Sequence, residues 1–480
     1  MKNKILLILI LLFSFAIYTF KLSTIPPSAY ADEATVGYNA YSILTTGTDE
    51  FGQPFPLLFR FFNAYTPGLF VYAAIPFIKL FGISVFSIRI LSAITGTISV
   101  FFFYKTLSLL SKNSLVGTAF YTILPWTIFN SRIGYEVMFA ATIFNLGCYY
   151  LLKNINNISY FGLLLISLST YTAHTQRYLA PIFLLVYFIY FKKLNLKSLA
   201  VLLFTQIPNL ILVFTHSFWI KNNHLSLKLF LSQIISYLSP KTLFFSSPDI
   251  DLQHQIPSIS LFFWWMIIPL IFSLKKLFTL DSKHQKFIVI WLICSIIPAS
   301  LSGEFMSTQR VLPLLFPLML VISLGLSSKI FINSFLFIYS LVLVCRSYYI
   351  FLPHQLAKSW DYGYKQLSSY IMNTPDKKFL IDNTRNPRTY ILPLFYNQYV
   401  YKRQIDNYYS APVLEDKYSY SNLTFEPLVW GDINQYDYIV SDGLSISPDQ
   451  ALEHHLTSVQ KIMSPDNAMV LEIYKVDSVQ

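Results

Sequence analysis

Sixteen consecutive residues near the start, ILLILILLFSFAIYTF at 5–20, carry no charge, and comparable runs recur down to about residue 350. Backbone amides and carbonyls inside a bilayer find no water, so such runs satisfy their polar groups internally by becoming helices. About 20 residues cross the hydrocarbon core. Beyond the first run, we place spans at 85–104, 115–129, 137–152, 160–173, 179–191, 199–215, 258–274, 287–301, 311–327 and 330–350. The total is about eleven. Composition agrees, with 12% charged residues against about 25% in a soluble domain.

The net charge of +11 would point to nucleic acid in a soluble chain, but these lysines sit between apolar runs, where they set orientation. Nucleic acid is therefore not the expected partner. MKNK before the first run, and AYA before Asp32, also fit a signal peptide with a small-residue cleavage site. The polar stretch 21–31 is long for such a site and two prolines interrupt it. We read an uncleaved first span.

Basic loops stay cytoplasmic. With Lys2 and Lys4 inside, Lys105, Lys112, Lys153, Lys192, Lys193, Lys197, Lys275, Lys276, Lys283, Lys286 and Lys329 fall inside as well. The alternate loops hold Asp32, Glu33, Asp49, Glu50, Glu136, Asp249, Asp251 and Glu304, so the acidic face is external. The segment 66–82 would invert this order if it crossed, and is read as an interfacial helix. The expected protein is thus an α-helical polytopic protein of the cell membrane with a cytoplasmic N-terminus. Its transmembrane domain is 1–351, with a large first external loop at 21–84.

After Phe351 the chain turns polar. KKFLID, YDYIVSD and MVLEIYKV alternate like strands, separated by turn-rich NTRNP and SPDN. Residues 352–480 are expected to form a small extracytoplasmic α/β domain. The NLT at Asn422 is a glycosylation pattern too common to carry weight.

The spans hold few ionisable residues, with Arg89 the main exception, whereas translocating proteins place such groups inside their spans. Acids and arginines collect instead at the external face, an arrangement suited to a lipid-borne phosphate. A carboxylate would take a proton from an acceptor hydroxyl while guanidinium groups hold the departing phosphate.

PPSAYADEATVGYNAYSILTTGTDEFGQPFPLLF resembles the first external loop of the dolichyl-phosphate-mannose protein mannosyltransferase family. That family lies within the GT-C superfamily of membrane glycosyltransferases using polyprenyl-phosphate sugars, with the aminoarabinose transferase acting on lipid A. The resemblance continues through YTPGLFVYAAIPFIKLFG, SVFSIRILSAITG, PWTIFNSRIGYEVMFA, YTAHTQRYLAPIFLL, RVLPLLFPLMLVISLG and LAKSWDYGYKQLSSYI. It implies a GT-C-like fold and makes Asp32 the catalytic base, paired with Glu33. The plain alternative for this pair is a favourable acid at a helix N-terminus. Asp49-Glu50 beside Phe51-Gly52 reads as turn chemistry. Glu136 matches a second acid that orients the acceptor or the base, or else pairs with Arg132 at helical spacing.

For the phosphate the resemblance favours Arg177, Arg310 and His174, with interfacial snorkelling the ordinary alternative. Arg132 belongs to the same external set. Relatives carry Lys-Pro-Pro where this chain has Thr66-Pro67-Gly68, so Arg60 is the expected substitute. They also place a His before the arginine matching Arg310, where this chain has Ser307, Thr308 and Gln309.

His216, His224 and His254 match no zinc spacing. A divalent metal at Asp32 and Glu33 is compatible with the superfamily, some members of which use one. Cys148, Cys294 and Cys345 lie in apolar runs as small hydrophobes. Trp219, Trp264, Trp265 and Trp291 read as belt or packing residues.

The expected activity is inverting transfer of a sugar from a polyprenyl-phosphate donor to a hydroxyl of a protein, lipid or envelope glycan at the external face. A flippase of lipid-linked saccharide would share the polar cavity and lipid access, and a receptor with an external sensor is a third reading without a cytoplasmic output domain.

Overall fold

The structure, a computed structural model, describes residues 2–215, 226–246, 251–301, 307–401, 408–409 and 415–477. His216, Trp219, His224, Asp249 and Glu304 lie outside the described residues. The chain divides into two compact units. One consists of 1–22, 66–70 and 89–351, the other of 23–65, 71–88 and 352–480.

Four helices among the described residues are long and apolar enough to cross a membrane: Lys2–Thr19, Val85–Ser108, Ser282–Leu301 and Ile330–Gln355. Expected spans 137–152 and 179–191 lie within the 18-residue helices Glu136–Lys153 and His174–Phe191, the rest appear as shorter or interrupted helices, and proline explains one break. Expected span 115–129 is divided into Ser114–Ile123 and Pro125–Asn130, because Leu124 before Pro125 takes an extended backbone, φ −55° and ψ 136°. Expected span 258–274 becomes helical only from Trp264 onward. The 66–82 segment contains a 13-residue helix, Leu69–Phe81.

Within the first unit one helix is arranged inside out relative to a soluble bundle. Helix Leu196–Leu212 exposes Leu203, Phe204, Ile207 and Ile211 and buries Asn209. Asn209 and Gln206 donate to Thr170 Oγ1 at 2.9 and 3.1 Å, and Gln206 also reaches Ser167 Oγ at 2.8 Å. Apolar surface facing lipid costs nothing, so interhelical hydrogen bonds and close packing hold such helices together. Helices Glu136–Lys153 and Tyr160–Ser169 pack through glycine. A Cβ on Gly147 would sit 2.9 Å from the Gly162 carbonyl oxygen, so the crossing depends on the missing side chain. Trp265 Nε1 donates to Ser340 Oγ at 3.0 Å and Trp291 stacks on Phe316, which are packing roles. All three cysteines are unpaired, and Cys148 and Cys294 are buried.

In the second unit the three segments read as strands are strands: Phe379–Asp382, Tyr438–Ser441 and Met469–Val476. They belong to a six-stranded mixed sheet. Phe379–Asp382 lies between parallel partners Leu423–Glu426 and Tyr438–Ser441, while Met469–Val476 and Leu456–Met463 extend it antiparallel. Asn422 sits in the turn entering Leu423–Glu426, its amide donating to the Lys377 carbonyl at 2.7 Å.

The same unit holds most of what was read as a first external loop. Its main element is helix Ala31–Thr46, ended by Gly47 in the left-handed region at φ 73°. This helix packs on Ile391–Asn397. Contact is close at Gly37, where a Cβ would lie 2.5 Å from Cε2 of Phe395.

Candidate active site

The expected site residues are divided between the units. Asp32, Glu33 and Arg60 belong to the second, and Arg132, Glu136, His174, Arg177 and Arg310 to the first.

Asp32 and Glu33 occupy the first turn of helix Ala31–Thr46. That position favours acids through the helix dipole, so the ordinary reading of the pair is physically satisfied as well. The two side chains meet different surroundings: Glu33 is fully buried, while Asp32 keeps partial exposure. Adjacent residues leave a helix roughly 100° apart, and no group of three or more His, Cys, Asp or Glu side chains able to hold an ion occurs among the described residues. No chemistry is derived from a metal here.

Tyr30, the N-cap of this helix, makes no side-chain capping bond. A third acid, absent from the sequence-based set, takes that role. Asp361 Oδ2 accepts from the backbone N–H of Ala31 at 2.9 Å, and Asp361 Oδ1 accepts from Asn386 Nδ2 at 3.1 Å. The Asp361 carboxyl is pushed up to about 7, first by burial, with the Asp32 charge adding to the effect and Arg388 opposing it. Asp361 and Asp32 thus share one electrostatic neighbourhood. In sequence, Asp361 stands inside WDYG, within one of the stretches that carry the resemblance, and the glycine two residues later was the available sign of a constrained turn.

Asp49 and Glu50 form a structural node. Asp49 Oδ1 accepts from the amides of Phe51 and Gln53 at 3.0 and 2.9 Å, which is turn chemistry. Asp49 Oδ2 accepts from the Tyr408 hydroxyl at 2.5 Å. Glu50, fully buried, accepts from Asn39 Nδ2 at 3.2 Å and the Tyr390 hydroxyl at 3.3 Å. Arg60 lies buried with its guanidinium 5.1 Å from the Phe51 ring centre, and its charge lowers the proton affinity of both acids. It serves as a counter-charge to that pair.

In the first unit, buried Arg132 has its Nη1 and Nη2 donating to the carbonyls of Ile17 and Phe20, both at 2.7 Å. Those carbonyls close helix Lys2–Thr19, whose last acceptors have no partners within the helix. The guanidinium also lies 5.2 and 5.0 Å from the ring centres of Tyr348 and Tyr349. Arg132 is thereby engaged as a helix terminator. Glu136 is the first residue of helix Glu136–Lys153 and is buried.

His174 and Arg177 stand in the first turn of helix His174–Phe191, three residues apart and so on one face. Basic side chains oppose the dipole at that end, whereas an anion would be welcomed by the N–H groups and the Arg177 guanidinium. Arg310 is partly exposed beside a segment anchored by Thr308 Oγ1, which donates to the His254 carbonyl at 3.1 Å. His254 pairs with Asp251 at 3.6 Å.

No protein-family profile matches this chain. No curated protein matches it. Among solved structures it is similar to the apo crystal structure of ArnT from Cupriavidus metallidurans, with a TM-score of 0.58 and 12% identity over 98% of each chain. The crystal structure of that protein bound to undecaprenyl phosphate gives a TM-score of 0.59 and 13% identity over 97% of each chain. With most of its length matched in order, the chain shares the fold of these ArnT structures.

Proposed function

We propose that the protein is a glycosyltransferase that moves a sugar from a polyprenyl-phosphate donor to an acceptor hydroxyl of a protein, lipid or envelope glycan at the external membrane face. Asp32 takes the proton from the hydroxyl as its oxygen attacks the anomeric carbon. The bond from that carbon to the phosphate oxygen breaks on the opposite side, the electron pair leaves with the phosphate, and the configuration inverts. The leaving group needs charge stabilisation more than a proton, a role for Arg177, Arg310 and His174. Glu136 orients the acceptor or the base.

The observation that carries this reading is Asp32 itself, a partly exposed carboxylate in a helix whose next seven residues, Glu33 to Asn39, are buried, beside a second acid. Support for the donor class comes from the fold shared with the ArnT structure bound to undecaprenyl phosphate, and from two basic residues at the start of helix His174–Phe191.

Asp32→Asn keeps size and hydrogen-bonding shape but cannot accept the proton. We expect transfer to fall by at least about 100-fold, with membrane levels unchanged. Mass spectrometry of envelope glycans and glycoproteins, with and without the gene and then with this variant, gives the readout. Unchanged glycans in the variant would remove Asp32 as the base, and unchanged glycans on losing the gene would remove the transferase reading.

A further inference from the structure

The Asp361 contacts carry an inference that rests on the transferase reading and concerns how its base is held. Helix Ala31–Thr46 makes no capping bond through its own N-cap side chain. Its start is instead fixed by residues more than 300 positions later in the chain. Asp361 receives the Ala31 amide at 2.9 Å. The flanking residues Tyr30 and Trp360 meet edge to face, ring centres 5.0 Å apart. Upstream, the Tyr396 hydroxyl lies 3.1 Å from Ser28 Oγ and accepts the Ala29 amide at 3.4 Å.

Asp361 is itself constrained. It sits in the left-handed region at φ 48° and ψ 38°, closing the turn Lys358–Trp360, and its second oxygen is held by Asn386 at 3.1 Å. The charged groups acting on it are Asp32 and Arg388. An acceptor fixed on two sides, placed at the amide immediately before Asp32, determines where the backbone of the base begins.

We propose that Asp361 is a positioning residue for Asp32: as an N-cap supplied from the C-terminal segment, it fixes the first turn of helix Ala31–Thr46 and hence the reach of the base. It touches no substrate in this role. Displacement by about 1 Å costs an enzyme on the order of 100-fold in rate, so loosening this turn should be costly while leaving the rest of the unit folded.

The test compares two variants of the full chain. Asp361→Gly keeps the left-handed backbone and removes the acceptor, whereas Asp361→Asn tolerates that backbone and retains an oxygen for the Ala31 amide. Hydrogen exchange on the purified protein in detergent requires no substrate. With glycine, amides in the first turn of Ala31–Thr46 should exchange at least about 10-fold faster, while strand Met469–Val476 stays as in the wild type. Glycan transfer in cells carrying the glycine variant should fall about 10-fold or more, and the asparagine variant should restore both protection and transfer to within about threefold of the wild type.

Wild-type exchange in the glycine variant would overturn the proposal, as would wild-type transfer despite faster exchange. If the glycine variant fails to fold, the asparagine variant decides: protected amides with lost transfer would mean that charge, and not the held turn, is what matters, which overturns it too. An absence of transfer by the wild-type protein would sink the transferase reading, and the exchange comparison would still decide whether Asp361 caps the helix.

Discussion

Glu50 shows what single side chains contribute here. Its proton affinity is raised from 4.5 to about 8, first by burial and then by the neighbouring Asp49 charge, against the stabilising bond from Asn39. A carboxyl that binds its proton more tightly when folded contributes stability that is complete below its unfolded value and is lost as pH rises through the folded one. Stability should therefore fall between about pH 4.5 and pH 8, with a slope approaching 1.4 kcal/mol per pH unit for this group. Glu50→Gln should flatten that dependence and melt at a higher temperature than the wild type above about pH 8, as thermal unfolding in detergent would show. Arg132 gives a complementary case. Arg132→Met leaves the Ile17 and Phe20 carbonyls without these donors, and should destabilise the protein by about 2 kcal/mol or more. Individual roles were only partly legible in the sequence. Arg132 in SRIGYE invited a partner at helical spacing, because local distance is all that a sequence displays. Its documented acceptors lie 115 and 112 residues away, a relation set by packing.

At the scale of elements, the apolar runs mark where helices form but not where they stop. Pro125 breaks one run, the residue before it leaving the helical region that a following proline disfavours. Strands were easier to read, since KKFLID, YDYIVSD and MVLEIYKV combine alternation with flanking turn residues. Glycine in the helices has a packing meaning that composition hides. At the crossing of Glu136–Lys153 and Tyr160–Ser169, a methyl on Gly147 would meet backbone, which cannot swing aside as a side chain can. Gly147→Ala should cost about 1–3 kcal/mol in strain, outweighing the helix-propensity gain of about 1 kcal/mol. A lower melting temperature in detergent would register it, and a higher one would show that the helices separate freely.

For the whole molecule, the alternation of lysine-bearing and acid-bearing loops predicts which parts face the cytoplasm. Cysteines introduced at the exposed positions Lys276 and Ser421 should behave oppositely toward a membrane-impermeant maleimide added to intact cells: Ser421→Cys reacts and Lys276→Cys does not. Equal labelling would refute the orientation. Cys148 and Cys294 are buried and should add little background. The fold shared with the ArnT structures was legible because the stretches that carry the resemblance occur in order along most of the chain. The composition of the second unit was not, because nothing local says that 23–65 and 71–88 will pack with 352–480.

That discontinuous assembly has a consequence during synthesis. The amide of Ala31 and its acceptor on Asp361 are separated by 330 residues. At about 5–20 residues per second, a nascent chain would spend on the order of 20–60 s with this early helix made and its cap not yet translated. A product cut short before residue 361 would carry Asp32 on a helix whose cap was never made.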